Sequence, residues 1–137
     1  MSSSVVGGVL SGTPFSLVDS TVDADRNNIA LDPLPAGTYS GVGPNAVTVE
    51  NKGGRNGAVG PGSLQIDLRA GYRLRTGGSK TAELFAEIFN VTNEPNFANP
   101  TTSAGFSDRR LGTFLTYSSL AGGGFPRQFQ IGMRFGF

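Results

Sequence analysis

From Gln128 to Phe137 the side chains alternate without a break. Phe129, Ile131, Met133, Phe135 and Phe137 are large and apolar, while Gln128, Gln130, Gly132, Arg134 and Gly136 are polar or bare. Successive side chains of a strand point to opposite faces, so this segment builds one apolar and one wet face. A strand that crosses a bilayer needs about 9–11 residues of this dyad pattern, against about 5–6 for an ordinary strand. The same period recurs earlier. Leu64, Ile66, Leu68, Ala70, Tyr72 and Leu74 alternate with Gln65, Asp67, Arg69, Gly71, Arg73 and Arg75. After a Thr76-Gly-Gly-Ser79 turn signal, Ala82, Leu84, Ala86 and Ile88 alternate with Glu83, Phe85, Glu87 and Phe89. A weaker strand is expected near the start, where Val5, Gly7 and Val9 alternate with Val6, Gly8 and Leu10, and where Pro14 demotes the ladder.

These patterns predict an all-β chain, an antiparallel meander of about four long strands over 4–17, 63–75, 80–90 and 127–137. A short turn at 76–79 and two long loops, 18–62 and 91–126, connect them. Loops of that length count against a compact soluble domain, whereas transmembrane β-barrels combine short turns on one side with long extracellular loops on the other. The chain therefore reads as a C-terminal piece of a transmembrane β-barrel. In that orientation the 76–79 turn is periplasmic, both long loops are extracellular, and Phe135 and Phe137 reach an aromatic girdle.

The register of the central hairpin follows from charge. Keeping the apolar faces together while setting Arg73 opposite Glu83 and Arg69 opposite Glu87 also sets Leu68 opposite Ile88. Bare Gly71 then faces Phe85, whose ring can cover it. A slip by two residues would set Asp67 opposite Glu87, and like charges directly opposite destabilise a ladder.

Composition narrows the function. Lys+Arg 11 against Asp+Glu 10 leaves a net charge of +1 over 137 residues, so no basic footprint for nucleic acid is present. With no cysteine and no histidine, neither a disulfide framework nor a thiolate or imidazole metal site can form. No cofactor and no catalytic nucleophile–base pair suggest themselves, so an enzyme is not expected. Asp23-Ala-Asp25-Arg-Asn27-Asn28 imitates the opening of a calcium loop, but Asn28 stands where glycine is needed and Leu34 where glutamate is needed. An Asx-rich turn is the expectation there, with no metal. The glycines of Asn51 to Gly62 lack the lysine–hydroxyl ending and the following helix of a nucleotide loop, so a mobile loop is expected. Asn90-Val-Thr92 fits a glycosylation acceptor but is set aside, and Arg109-Arg110 reads as solvated loop charge.

Several segments together resemble one family. They are Ser11-Gly-Thr-Pro-Phe-Ser16, Gly60-Pro-Gly62 with its following strand, Ala86-Glu-Ile-Phe-Asn90 running on through Asn93-Glu-Pro-Asn-Phe97, and Phe125-Pro-Arg-Gln128 to Phe137. In order and spacing they are similar to the C-terminal barrel end of TonB-dependent outer-membrane receptors, most of all the subgroup with an N-terminal carboxypeptidase-regulatory-like domain. The resemblance implies a barrel of about 22 strands with a plugged lumen, importing scarce nutrients with energy relayed by TonB. It implies outer-membrane lipid, the remainder of the barrel and plug, and the barrel-assembly machinery as partners. Phe129, Ile131, Met133, Phe135 and Phe137 would form the lipid-facing closing strand and the insertion signal. Arg69, Arg73, Glu83 and Glu87 would be cross-strand pairs in the lumen. TonB would be met only through an N-terminal part that is absent here, and no substrate-binding position carries over. The N-terminus lacks a basic signal region, so the chain is expected to be the C-terminal part of a longer one, the alternative being a complete protein that starts at Met1. Two other readings stand beside the receptor: a structural protomer of an oligomeric outer-membrane barrel, and a soluble β binding module.

Overall fold

In a computed structural model, every residue except Thr76, Ser79 and Gly123 is described. The strands among them are β1 (Ser2–Leu10), β2 (Pro14–Asp19), β3 (Asp32–Pro33), β4 (Gly37–Ser40), β5 (Thr48–Asn51), β6 (Ala58–Val59), β7 (Ser63–Arg75), β8 (Thr81–Phe89), β9 (Phe106–Asp108) and β10 (Gln128–Gly136). They divide between two compact units. One comprises Met1–Leu10, Ser63–Pro95 and Gly124–Phe137, the other Ser11–Gly62 and Asn96–Gly123.

The first unit is an antiparallel sheet in the order β1-β7-β8-β10, which is chain order and therefore a meander. Its central hairpin has the register that charge demanded: Arg73 faces Glu83, Arg69 faces Glu87, Leu68 faces Ile88 and Gly71 faces Phe85. On β10, Phe129 faces Ile88 and Met133 faces Leu84, while Gln130 faces Glu87 and Arg134 faces Glu83. On β1, Val5, Gly7 and Val9 face Leu68, Ile66 and Leu64. One parity thus carries the apolar groups across all four strands. Leu10 pairs with Ser63 and Phe89 with Gln128, so both long connections leave the same end of the sheet. At the other end, Gly77 and Gly78 adopt positive φ (99° and 62°), and Lys80 N–H donates to Gly77 O at 3.3 Å. Thr76 and Ser79, the flanks of the expected turn, lie outside the described residues.

The expected strand over 4–17 is in fact two. β1 stops at Leu10, and β2 begins at Pro14 in the second unit. Proline has no N–H to offer a continuing ladder, and Phe15 and Leu17 turn into a different core, 2% and 0% exposed. Segments 18–62 and 91–126 are likewise not irregular loops. β2 pairs with β3, β6 and, in parallel, β9, while β5 joins β4 to β6. Phe15, Leu17, Leu34, Ala58, Phe114 and Leu115 close a small apolar core, with Tyr39, Val47 and Val49 packed against it. Gly41 is required by that packing, because a Cβ there would stand 2.6 Å from Leu115 O. The Asn51–Gly62 stretch holds a β-hairpin rather than a mobile loop. Asn51, 1% exposed, donates through Nδ2 to Leu34 O (2.9 Å) and Pro35 O (3.0 Å).

Candidate functional site

The four-stranded sheet offers two chemically opposite faces. On the apolar face Phe129, Ile131, Met133 and Phe135 are 60–64% exposed, and Val5, Val9, Tyr72, Leu74 and Leu84 are exposed beside them. Phe137 lies beyond the β10 ladder and is 93% exposed. A contiguous apolar surface of this extent marks contact with lipid or protein, not with water.

The opposite face is a ladder of paired charge. Arg69 Nη1 donates to Glu87 Oε1 at 2.7 Å, and Arg73 Nη2 to Glu83 Oε2 at 3.3 Å. Arg69 Nη2 also comes within 3.9 Å of Glu83 Oε1, which links the two pairs into one network. The Glu83 and Glu87 side chains are largely covered, 14% and 16% exposed, and the guanidinium groups stay open to solvent. The sequence therefore brought the right four side chains together. It did not show that Glu83 and Glu87 also face Arg134 and Gln130 across β10.

The ring of Phe85 is placed differently from the expectation. It faces two glycines, Gly71 on β7 and Gly132 on β10. It covers Gly132, where an added Cβ would fall inside the ring, and not Gly71, whose nearest neighbour is Ser2 Oγ at 3.0 Å from such a Cβ. Ser2 of β1 occupies the space over Gly71, so the ring leans the other way. Arg69 Cζ then lies 4.5 Å from the Phe85 centroid, a cation–π contact that ties the charged ladder to the ring.

A residue that the sequence treated as a turn-former closes the end of the sheet from which the long connections leave. Asn90, at φ 50° and 2% exposed, donates its backbone N–H to Asp67 Oδ1 at 2.9 Å. Its Nδ2 donates to Glu94 O (3.0 Å) and Phe125 O (2.8 Å), and its Oδ1 accepts from Thr92 Oγ1 (3.0 Å). This also disposes of Asn90 as a glycan acceptor, since the amide nitrogen is buried and engaged. The signal available in advance was the placement of Asn immediately after a strand, where αL geometry is tolerated.

The inserted unit carries its own charged groups. Asp19 Oδ1 accepts from Thr21 Oγ1 (2.6 Å), Thr21 N (3.0 Å) and Arg110 Nε (2.9 Å). The Thr21 hydroxyl first and Arg110 second outweigh burial and hold its pKa down at about 2. Arg110 is therefore an ion-pair partner and not merely solvated loop charge. Asp23, Asp25 and Asp32 bring carboxylate oxygens within 4.8 Å of one another, close enough to share a cation. Those oxygens already accept turn-closing N–H groups: Asn27 and Asn28 donate to Asp23, and Ala24 and Asp25 to Asp32. The arrangement is that of an Asx-rich turn.

Comparison with known proteins agrees with this geometry. The model of a family described as an outer membrane beta barrel domain matches residues 3–130. No curated protein and no solved structure matches the chain. The two-faced sheet, its membrane-length strands and a match over nearly the whole sequence lead to one assignment: the chain belongs to the outer membrane β-barrel domain family and resides in the outer membrane.

Proposed function

We propose that this chain is the C-terminal barrel segment of a TonB-dependent receptor that takes up a scarce nutrient across the outer membrane. The observation that carries the reading is the wet face of the sheet. A small barrel fills its interior with packed side chains, whereas a wide one keeps a polar, hydrated wall. Here Arg69, Arg73, Glu83 and Glu87 form a linked charged network on that wall, with the Arg73 side chain 65% exposed. The motifs that resemble such receptors support the same reading. Phe129, Ile131, Met133 and Phe135 then face lipid, and Phe137 serves the assembly machinery as the insertion signal. The reading involves no catalytic step, cofactor or nucleic acid.

Deleting the gene that encodes this chain and measuring uptake of ferric complexes, cobalamin and oligosaccharides tests it. The expected result is loss of one uptake activity, with complementation only in cells that retain TonB. Uptake that survives loss of TonB would overturn the proposal.

A further inference from the structure

The connection from β8 to β10 is long, residues 90–127, so no tight turn pins the register between the two strands. A slip by one residue would carry the apolar side chains of β10 onto the wet face and is excluded on that ground. A slip by two keeps Phe129, Ile131 and Met133 on the apolar face, merely setting Met133 opposite Ala82 or Ala86 in place of Leu84. Charge does not reject such a slip either. It would pair Arg134 with Thr81 or Phe85, and Gly132 with Glu83 or Glu87, and none of these sets like charges opposite each other. Glu83 takes its ion pairs from Arg73 and Arg69 on β7, and Arg134 adds none among the described residues.

Volume does reject it. A Cβ added at Gly132 would fall inside the Phe85 ring, and one added at Gly136 would stand 2.8 Å from Thr81 Oγ1. Two bare positions of β10, both on the wet face, thus receive the side chains of β8 that face them. After a slip by two the ring would face Gln130 or Arg134, each with a side chain in the space the ring now fills. The ring has no free space on its other side, where Ser2 Oγ lies over Gly71. Arg69 Cζ holds it from β7 at 4.5 Å, and Arg69 is itself fixed by Glu87 at 2.7 Å.

We infer that Phe85 and Gly132 form a register lock for β10, with Thr81 and Gly136 as a second, smaller socket. A slip by two would move β10 about 7 Å along its neighbour. Closing a sheet into a barrel requires one fixed stagger of register, so the free edge of β10 meets a further strand correctly only when the ring is seated. The lock acts in assembly of the wall and is independent of what the barrel transports.

Paired cysteines in the protein assembled in the outer membrane test this. Residues directly opposite on antiparallel strands lie about 4.5–5.5 Å apart at Cα, within reach of a disulfide, whereas diagonal neighbours at about 7–8 Å are not. Met133→Cys combined with Leu84→Cys reads the native register, and combined with Ala82→Cys or Ala86→Cys it reads the two slips. With the lock intact, oxidation by copper phenanthroline is expected to bridge position 133 to position 84 alone. With Phe85→Ala or Gly132→Leu, slipped bridges are expected to make up about a tenth of the total or more. Phe85→Ala adds no volume, so it decides the matter where Gly132→Leu does not assemble. Exchanging the parts, Phe85→Gly with Gly132→Phe, sets ring and socket on opposite strands and is expected to restore the native bridge alone. Native bridging alone in either single variant, or slippage that persists in the exchanged pair, would overturn the inference.

Discussion

Gly132 shows how much a single position can decide in a sheet with no buried apolar core of its own. Its missing side chain lets Phe85 cross from β8 to β10, and Arg69 caps the ring at 4.5 Å. A change to alanine there must displace the ring, although an outward polar position on a strand would ordinarily tolerate one. Gly132→Ala is expected to destabilise the assembled barrel by about 1–3 kcal/mol through overpacking. Adding Phe85→Ala should recover part of that loss, and the double-mutant cycle should show coupling above about 0.5 kcal/mol. Additive costs in urea unfolding would mean the ring does not lie on Gly132. Asn90 is the second such residue. Asn90→Ala strands the Glu94 and Phe125 carbonyls and places alanine at φ 50°, with an expected cost of about 1–3 kcal/mol. Asp19 gives the pH dependence. Its pKa is lower in the fold than in the open chain, so its contribution is complete above the ordinary carboxylate value of 3.8 and is lost as pH falls towards about 2. The stability difference between wild type and Asp19→Asn, followed by urea unfolding, should therefore be flat above about pH 5 and shrink below 3.8. A difference that grows on acidification would contradict the assigned bonds.

Among the elements, β7, β8 and β10 could be read from the sequence almost to the residue. A period of two sustained along each strand is a strong signal, and the opposed charges of Arg69, Arg73, Glu83 and Glu87 left one register for the hairpin. β1 gave no such guidance, because both of its faces are apolar and no charge fixes its partner. That is why Ser2 over Gly71, and hence the tilt of Phe85, could not be foreseen. The inserted unit was unreadable for a different reason. Its core residues Phe15, Leu34, Ala58 and Phe114 come from segments far apart in sequence, and strands such as β3 and β6 contain two residues each. No periodicity can show in so short a run, and the Asn and Gly residues at positive φ read as loop. On β10, Met133→Arg sets a charge among apolar neighbours, with an expected cost of about 2–4 kcal/mol in the assembled barrel in lipid. An isosteric change to leucine should cost less than about 1.5 kcal/mol. Equal effects of the two would place Met133 off the lipid.

At the scale of the whole chain there are two units, a two-faced sheet and a folded insertion. The four-stranded sheet has its edges at β1 and β10, and unpaired backbone at an edge costs several kcal/mol per group in hydrocarbon. The chain alone in lipid is accordingly expected not to yield a heat-modifiable, protease-resistant monomeric barrel, and gel mobility before and after boiling checks this. The absence of cysteine makes the decisive test direct. Single cysteines placed at Gln130, Ile131, Met133, Arg134 and Phe135 can carry a spin label in the protein assembled in the outer membrane. Their collision rates with oxygen and with a water-soluble nickel chelate then report which side chains meet lipid. Strict alternation is expected, with oxygen contact high and nickel contact low at Ile131, Met133 and Phe135, and the reverse at Gln130 and Arg134. Equal nickel contact at both parities would contradict a sheet that turns one face to the bilayer.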